Sequence, residues 1–255
     1  GVPKGVKITR AGITSYVDFY VNEYDMKNNS VFGLFASIGF DVGAIRGICA
    51  PLYGGSCLDI VPMDIRLDIN KLNRHFIDHA VTHTTLPTQI ARMFIEEVED
   101  TSLKVLITGG EKLGEINSSP NYSFIDSYGP TESCVAVCAI EEKDKMDPSP
   151  IGHMFTNIKA YVLDEEGRRV PIGAVGELCI AGSQVANGYL NRQKETDESF
   201  VKNPFEDDGN YNLMYRTGDL VRILPDGTFG IVGRRDGQVK VRGNRVELSE
   251  VESAI

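Results

Sequence analysis

The sequence contains no apolar run approaching the ~20 residues that a bilayer-spanning helix needs. It opens "GVPKGVKITR", without an initiating Met and without the basic and apolar regions of a secretory signal. The expectation is a cytoplasmic protein with no membrane partner. Cysteine is scarce: Cys49, Cys57, Cys134, Cys138 and Cys179 form an odd, scattered set, mostly in apolar stretches. That excludes a disulfide framework and suits reduced thiols. Positive charge is also in short supply, with 26 Lys and Arg against 36 Asp and Glu and a net charge of −10. This balance argues against a nucleic-acid partner. It leaves room for a phosphate ligand, because phosphate sites are built locally from backbone amides and a few cations.

What remains is 255 residues, 42% hydrophobic and 24% charged, enough for one large domain or two subdomains. The first 150 residues alternate helix and strand signals. "AGITSYVDFYVNEY" places Ile13, Tyr16, Val17, Tyr20, Val21 and Tyr24 at helical spacing behind Thr9 as a cap. "FDVGAIRGICAPLYGG" predicts a helix closed by Gly54 and Gly55, and "SCLDIVP" a buried strand. "DINKLNRHFIDHA" and "TQIARMFIEEV" predict helices, while "VTHTTLP", "LKVLITGG" and "YSFIDSYGP" predict strands. Such alternation implies an α/β fold, a mostly parallel sheet flanked by helices. From about 151 to 235 short strands joined by Glu-Gly and Pro-Asp-Gly turns predict a small β-rich, barrel-like subdomain. "LSEVESAI" at the end looks like the first turns of a helix.

In a parallel sheet, ligands gather beyond the carboxyl ends of the strands. Two such ends are Gly-rich and polar, "LITGGEKLG" and "IDSYGPTES". The second presents Asp126, Tyr128, Thr131 and Glu132 around Gly129-Pro130. A ring can stack on a base, a hydroxyl can bond a phosphate and a carboxylate can hold Mg²⁺; the alternative is a surface turn in which Tyr128 covers the sheet edge. In "YRTGDLVRI", Asp219 stands just before a strand and either binds a ribose diol or caps its turn. Lys4, at the tip of a Gly-Pro-Lys-Gly loop, either meets a phosphate or is solvated. His75, His79 and His83 recur every four residues. The helix breaks near Ala80, however, which puts His83 on a strand, and no Glu or Cys falls at a useful spacing, so a metal site is the weaker reading. Cys134 and Cys138 fit one face of an apolar strand. Arg234 to Arg245 carry five cations, but their alternation with Val predicts a half-buried hairpin.

Taken together, "SYGPTES", "GELCIAGSQVANGYLNRQKETDESF", "YRTGDLVRILPDGTFGIVGRRDGQVKVRGNRVELSEVE" and the opening "GVPKGV" resemble, in order, the motifs of adenylate-forming enzymes. More closely they look like the adenylation domains of nonribosomal peptide synthetases, over the whole chain. The resemblance implies that an amino acid and MgATP give an aminoacyl-adenylate and pyrophosphate. The acyl group then passes to the phosphopantetheine thiol of a carrier domain. It implies that Tyr128 stacks on adenine, Asp126 accepts from its amine, and Gly110 and Glu111 line the slot. Thr131 contacts phosphate, Glu132 holds Mg²⁺, and Asp219 grips the ribose with Arg234 beside it. Many relatives have Asn where Asp126 stands.

Pro3, Lys4 and Gly5 match the tail of the family's phosphate loop, and Asp236 matches its hinge, which would make 236–255 the start of a C-terminal subdomain. The implied expectation is the central piece of a longer enzyme, inactive alone because the hydroxyl-rich part of that loop and a C-terminal lysine are missing. The amino-acid pocket implied by the family's alignment comprises Asp41, Val42, Ile45, Thr85, Ile107, Gly109, Ser127, Val135 and Ala136. Asp41 is its only charge and would pair with the substrate ammonium. Ile45, Ile107 and Val135 make apolar walls, Gly109, Ser127 and Ala136 leave volume, and Thr85 or Ser127 can bond a hydroxyl, so a large apolar or aromatic amino acid is expected. An acyl- or aryl-CoA ligase shares the ATP motifs but has no use for a buried charge at Asp41. A noncatalytic nucleotide-binding remnant is the other alternative for the isolated chain.

Overall fold

A computed structural model describes residues 4–114, 116, 118–141, 150–207, 209–235, 239–241 and 244–246. Asp236, Pro3 and the closing "LSEVESAI" lie outside the described residues. The chain forms two compact units. One is Thr14–Tyr128 together with Ile140 and Glu141; the other gathers residues 4–13, Gly129–Ala139 and the described residues from 150 onward. The division therefore falls after Tyr128 rather than near residue 150. Gly129–Ala139 belongs with the β-rich residues because its backbone bonds there, Ala186 N donating to Glu132 O at 2.8 Å and Phe155 N to Val137 O at 2.8 Å.

The first unit is a five-stranded parallel sheet with helices. Its strands are β1 (Val31–Leu34), β2 (Cys57–Ile60), β3 (His83–Thr85), β4 (Val105–Gly109) and β5 (Ser123–Tyr128), in the order β2-β1-β3-β4-β5. Helix α1 (Arg10–Glu23) begins at Thr9, whose Oγ1 accepts from Gly12 N at 2.8 Å, and it buries Tyr16, Val17, Tyr20 and Val21. Helix α3 (Ile69–Asp78) is capped by Asp68, which accepts from Lys71 N, and buries Ile69, Leu72 and Phe76. Helix α4 (Thr88–Glu97) starts after Pro87 and buries Ala91, Phe94 and Ile95. These side chains close with Leu106 and Phe124 into one apolar core.

Two elements differ from expectation. The stretch after Asp41 is π-helical over Val42–Cys49, its Ala50 N–H reaching back five residues to Ile45 O, before α2 (Ala50–Gly54) ends at left-handed Gly55. Gly43 is required inside it, since a Cβ there would lie 2.1 Å from Ser37 O. The strand β2 is not buried: it is the sheet's outer strand, with Cys57 exposed and Ile60 68% exposed. Apolar residues marked it as a strand, but edge position cannot be told from an apolar run alone.

The second unit is antiparallel. Its strands are β6 (Cys138–Glu141), β7 (Pro150–Met154), β8 (Ile158–Leu163), β9 (Val175–Gly182), β10 (Phe200–Lys202), β11 (Leu213–Ile223) and β12 (Phe229–Arg234). They pair in the order β6-β7-β12-β11-β9-β8, with β10 on β11 and one short helix, α5 (Gln193–Ser199). Beyond them β13 (Val239–Val241) and β14 (Asn244–Val246) pair as the expected hairpin. Cys134 is not on a strand. It follows a 3₁₀ turn over Thr131–Ser133 in a left-handed conformation, φ 59°, and only Cys138 begins β6. All five cysteines are free thiols. No helix among the described residues is long and apolar enough to cross a membrane.

His83 lies on β3, as the break at Ala80 predicts, and is 2% exposed. Its Nε2 lies 2.8 Å from Tyr24 O and its Nδ1 2.8 Å from Thr82 Oγ1. Burial penalises the charged imidazole and holds its pKa below the usual value. A folded pKa below the unfolded one gives stability that is full above the unfolded value and is lost as pH falls through the folded value. The melting temperature is therefore expected to decline as pH is lowered below about 6.5. His83→Gln can still donate to Tyr24 O but cannot titrate, so it should flatten that decline; thermal melts with an unchanged slope in the variant would contradict the assignment.

Candidate functional site

The parallel register of the first unit brings the expected residues to one end of its sheet. Thr85 on β3 pairs with Ile107 on β4, which pairs with Ile125 on β5, while Thr108 pairs with Asp126 and Gly109 with Ser127. Gly110 and Glu111 lie beyond β4, and Tyr128 ends β5, all at least partly exposed. Gly109 must be glycine. Its φ is 155°, and a Cβ would sit 2.1 Å from Ser127 O. Gly110 follows at φ 94° with open space around the position a Cβ would take, so the backbone itself is the surface offered there.

Asp41 is half-buried at the head of the π-helical segment, where one carboxylate oxygen accepts from Val42 N at 2.7 Å. One turn on, Ile45 is buried, and so is Arg46, at 3% exposed. Sequence reasoning missed Arg46, because nothing local marks a lone Arg in "GAIRGIC" as internal. Its Nε donates to Tyr16 Oη at 2.6 Å and its Nη2 to Ser127 Oγ at 3.3 Å, with its guanidinium over the faces of Tyr16 and Tyr20. Desolvation raises the Tyr16 hydroxyl well above its ordinary pKa and the Tyr20 hydroxyl to about 12, so both stay neutral beside the cation. Ser127 Oγ, donating to Thr108 O at 2.8 Å and accepting from Arg46, is already engaged. Thr85 Oγ1 differs: it is buried near Tyr20 Oη and makes no hydrogen bond of ordinary geometry among the described residues.

In the second unit Glu132 is 3% exposed, and its Oε1 accepts from Tyr189 Oη at 2.7 Å. Burial, then the neighbouring Glu132 charge, lifts the Tyr189 hydroxyl to about 12. Lys4 stands over the ring of the same tyrosine, 5.6 Å from its centroid. It is placed there by the backbone, since Leu190 N donates to Gly5 O at 2.7 Å and Val6 bridges Tyr189. Tyr189 thus gathers two expected residues far apart in sequence and was itself not foreseen. Thr131, beside Glu132, is exposed, whereas Val135 and Ala136 are buried, Val135 at φ 73°. With its amide nitrogen turned inward, Gln184 donates to Ser133 O at 3.2 Å and Ala136 O at 3.0 Å and steadies this loop.

Asp219 lies within β11 rather than before it, at a break in the pairing with β9 next to Gly218 at φ 74°. Arg234 is its direct cross-strand neighbour, Nη1 donating to Asp219 Oδ1 at 2.7 Å and to Thr217 O at 3.2 Å. The break is held by Glu177, buried on β9, which accepts from Gly218 N at 3.2 Å and from Arg216 Nε at 3.1 Å. Glu177 was also not foreseen; a single acidic residue in a strand carries no local signal for such a role.

Each unit therefore presents a polar constellation, one with Gly-rich strand ends and one with a tyrosine that bonds a buried carboxylate and lies under a lysine. Comparison with known proteins places the chain in a family. Residues 1–190 match the AMP-binding enzyme family. The chain is 37% identical over its full length to bacitracin synthase 1 of Bacillus licheniformis, of which it spans 5%. It is 40% identical over 99% of its length to surfactin synthase subunit 2 of Bacillus subtilis (strain 168), of which it spans 7%. Among solved structures, an artificially fused adenylation–PCP di-domain NRPS, NpsA-ThdA from Klebsiella oxytoca, superposes with a TM-score of 0.85 at 26% identity, covering 99% of this chain and 48% of that one. Holo-PA1221, an NRPS protein containing adenylation and PCP domains bound to a vinylsulfonamide inhibitor, also gives 0.85, at 27% identity, covering 99% of this chain and 45% of its own. The chain belongs to the AMP-binding enzyme family, and within it resembles, in sequence and in fold, the adenylation domains of nonribosomal peptide synthetases.

Proposed function

We propose that this chain is the amino-acid-activating part of a nonribosomal peptide synthetase, a ligase that forms an aminoacyl-adenylate for transfer to a carrier-domain thiol. The observation that carries the reading is the half-buried Asp41 at the head of its π-helical segment, in the unit whose strand ends are Gly-rich and polar. An amino-acid carboxylate oxygen attacks the α-phosphorus of ATP, the bond to the bridging oxygen breaks, and pyrophosphate leaves. Passing the acyl group to a carrier-domain phosphopantetheine thiol would form the thioester C–S bond, break the acyl–phosphate C–O bond and release AMP and the thiol proton. Likeness to bacitracin and surfactin synthases favours this over a CoA ligase.

In the first unit, Tyr128, Gly110, Glu111 and Asp126 receive adenine. Asp41 pairs with the substrate ammonium, its charge only partly screened by solvent. In the second unit, Asp219, fixed by Arg234, holds the ribose hydroxyls, and Lys4 and Thr131 meet phosphate. A buried carboxylate is a hard oxygen donor of the kind Mg²⁺ takes, so Glu132 fits that ion. When bound, Mg²⁺ neutralises charge on the phosphates. Tyr189 orients Glu132 by its hydrogen bond. The substrate side chain is neutral and large, apolar or aromatic; since Ser127 is engaged, Thr85 is the hydroxyl left for a polar end.

Two sets of variants in the complete enzyme test these roles. Asp219→Ala should raise KM for ATP by removing a contact present in ground and transition states, whereas Glu132→Gln should mainly lower kcat. One shared kinetic signature would refute the division. Asp41→Asn keeps a good helix cap, because Asn caps as well as Asp, but loses the charge. An unpaired ammonium in a partly desolvated site costs about 3 kcal/mol, so pyrophosphate exchange with every α-amino acid should fall roughly 10²-fold while thermal stability is kept. Normal exchange in that variant, or preference of the parent for a charged side chain, would overturn the pocket.

A further inference from the structure

The periodic histidines meet a carboxylate that no local spacing announces. His75 begins the last turn of α3, His79 is the residue that closes the helix, and Asp59 reaches them from β2, the outer strand. His75 Nε2 lies 2.7 Å from Asp59 Oδ2 and His79 Nδ1 2.6 Å from Asp59 Oδ1, so each oxygen faces one ring. The rings lie together, with centroids 4.0 Å apart. All three donor atoms fall within 4.8 Å of one another. Asp59 has no Lys or Arg partner among the described residues, and its side chain is only 12% exposed, as is that of His75 at 11%. His79 is 51% exposed and leaves one side of the cluster open to water.

We propose that Asp59, His75 and His79 bind a divalent first-row transition-metal ion, of which Zn²⁺ is the natural probe. Two imidazole nitrogens and one carboxylate are the donors such ions take, whereas Mg²⁺ and Ca²⁺ prefer oxygen alone. Ligands about 2.1 Å from a metal lie ~3.0 Å apart at right angles and ~3.4 Å apart in a tetrahedron. The 2.6 and 2.7 Å pairs need a sub-ångström opening, and a donor pair at the 4.8 Å limit a closure of ~1.4 Å. The metal replaces the ring protons now directed at the carboxylate, which pass to the opposite ring nitrogens or to solvent, and water fills the open side next to His79. The ion clips α3 to an outer strand that, among the described residues, has no neighbouring strand on its far side.

The test uses the chelator-treated chain and Co²⁺ as a spectroscopic stand-in for Zn²⁺. The expected result is a visible d–d spectrum distinct from that of aqueous Co²⁺, saturating at one equivalent, displaced by Zn²⁺ and unchanged in Cys57→Ser. Because His79 is half-exposed, His79→Gln should leave the fold intact while weakening metal binding at least about tenfold, the scale on which losing even an outer-shell partner acts. Zn²⁺ should raise the melting temperature of the parent chain but not of His79→Gln. No distinct Co²⁺ spectrum, or one unaffected by His79→Gln, would mean that the three groups form only a hydrogen-bonded cluster. Thiolate charge-transfer bands that vanish in Cys57→Ser would assign the ion to a cysteine and equally overturn the proposal.

Discussion

A buried guanidinium ties the first unit together. Arg46 joins α1 through Tyr16 and Tyr20, its own π-helical segment, and β5 through Ser127. An unpaired charge inside a protein is costly, and here hydroxyl oxygens and aromatic faces answer it. Its position follows from the π-helical register: the wider turn from Asp41 onward sets Asp41 at the entrance and Arg46 inside. The segment that presents the proposed ammonium partner is thus braced against the strand that carries Asp126 to Tyr128. Local motion of one is resisted by the other.

The second unit relies on a different device. Its polar residues sit where regular pairing fails, in the Thr131–Ser133 turn and at the break in β11. Buried side chains hold these irregular backbones: Glu177 at Gly218, Gln184 at Ser133 and Ala136, Tyr189 at Glu132. A phosphate ligand of the kind proposed would be met by local cations rather than by net charge. Lys4 stands over the Tyr189 ring, and Arg234 is paired with Asp219.

Much of the frame is legible in the sequence because its signals are local. Thr9 and Asp68 cap the helices they precede, Pro87 starts α4, and apolar runs before polar Gly-rich segments mark β4 and β5 with their ligand-facing ends. What was missed is set by distant partners. That β2 is an outer strand depends on strand order, and Asp219 falls inside β11 because Glu177 on a neighbouring strand stabilises the break. Strand β1 escaped notice because Gly33 interrupts a run of only four residues. Arg46, Tyr189 and Asp59 act through contacts 81, 57 and 16 to 20 residues away, which no spacing rule reaches.

The proposed activity requires the chain to bind an α-amino acid joined to a nucleotide. It is tested most directly by titrating the chain calorimetrically with a nonhydrolysable aminoacyl-adenylate mimic and with the same mimic lacking its amine. The amine-bearing compound should bind saturably at one to one, and the other at least about tenfold more weakly, the loss of one charge-assisted contact worth ~1.4 kcal/mol or more. Equal affinity for both compounds, or binding of neither, would contradict it.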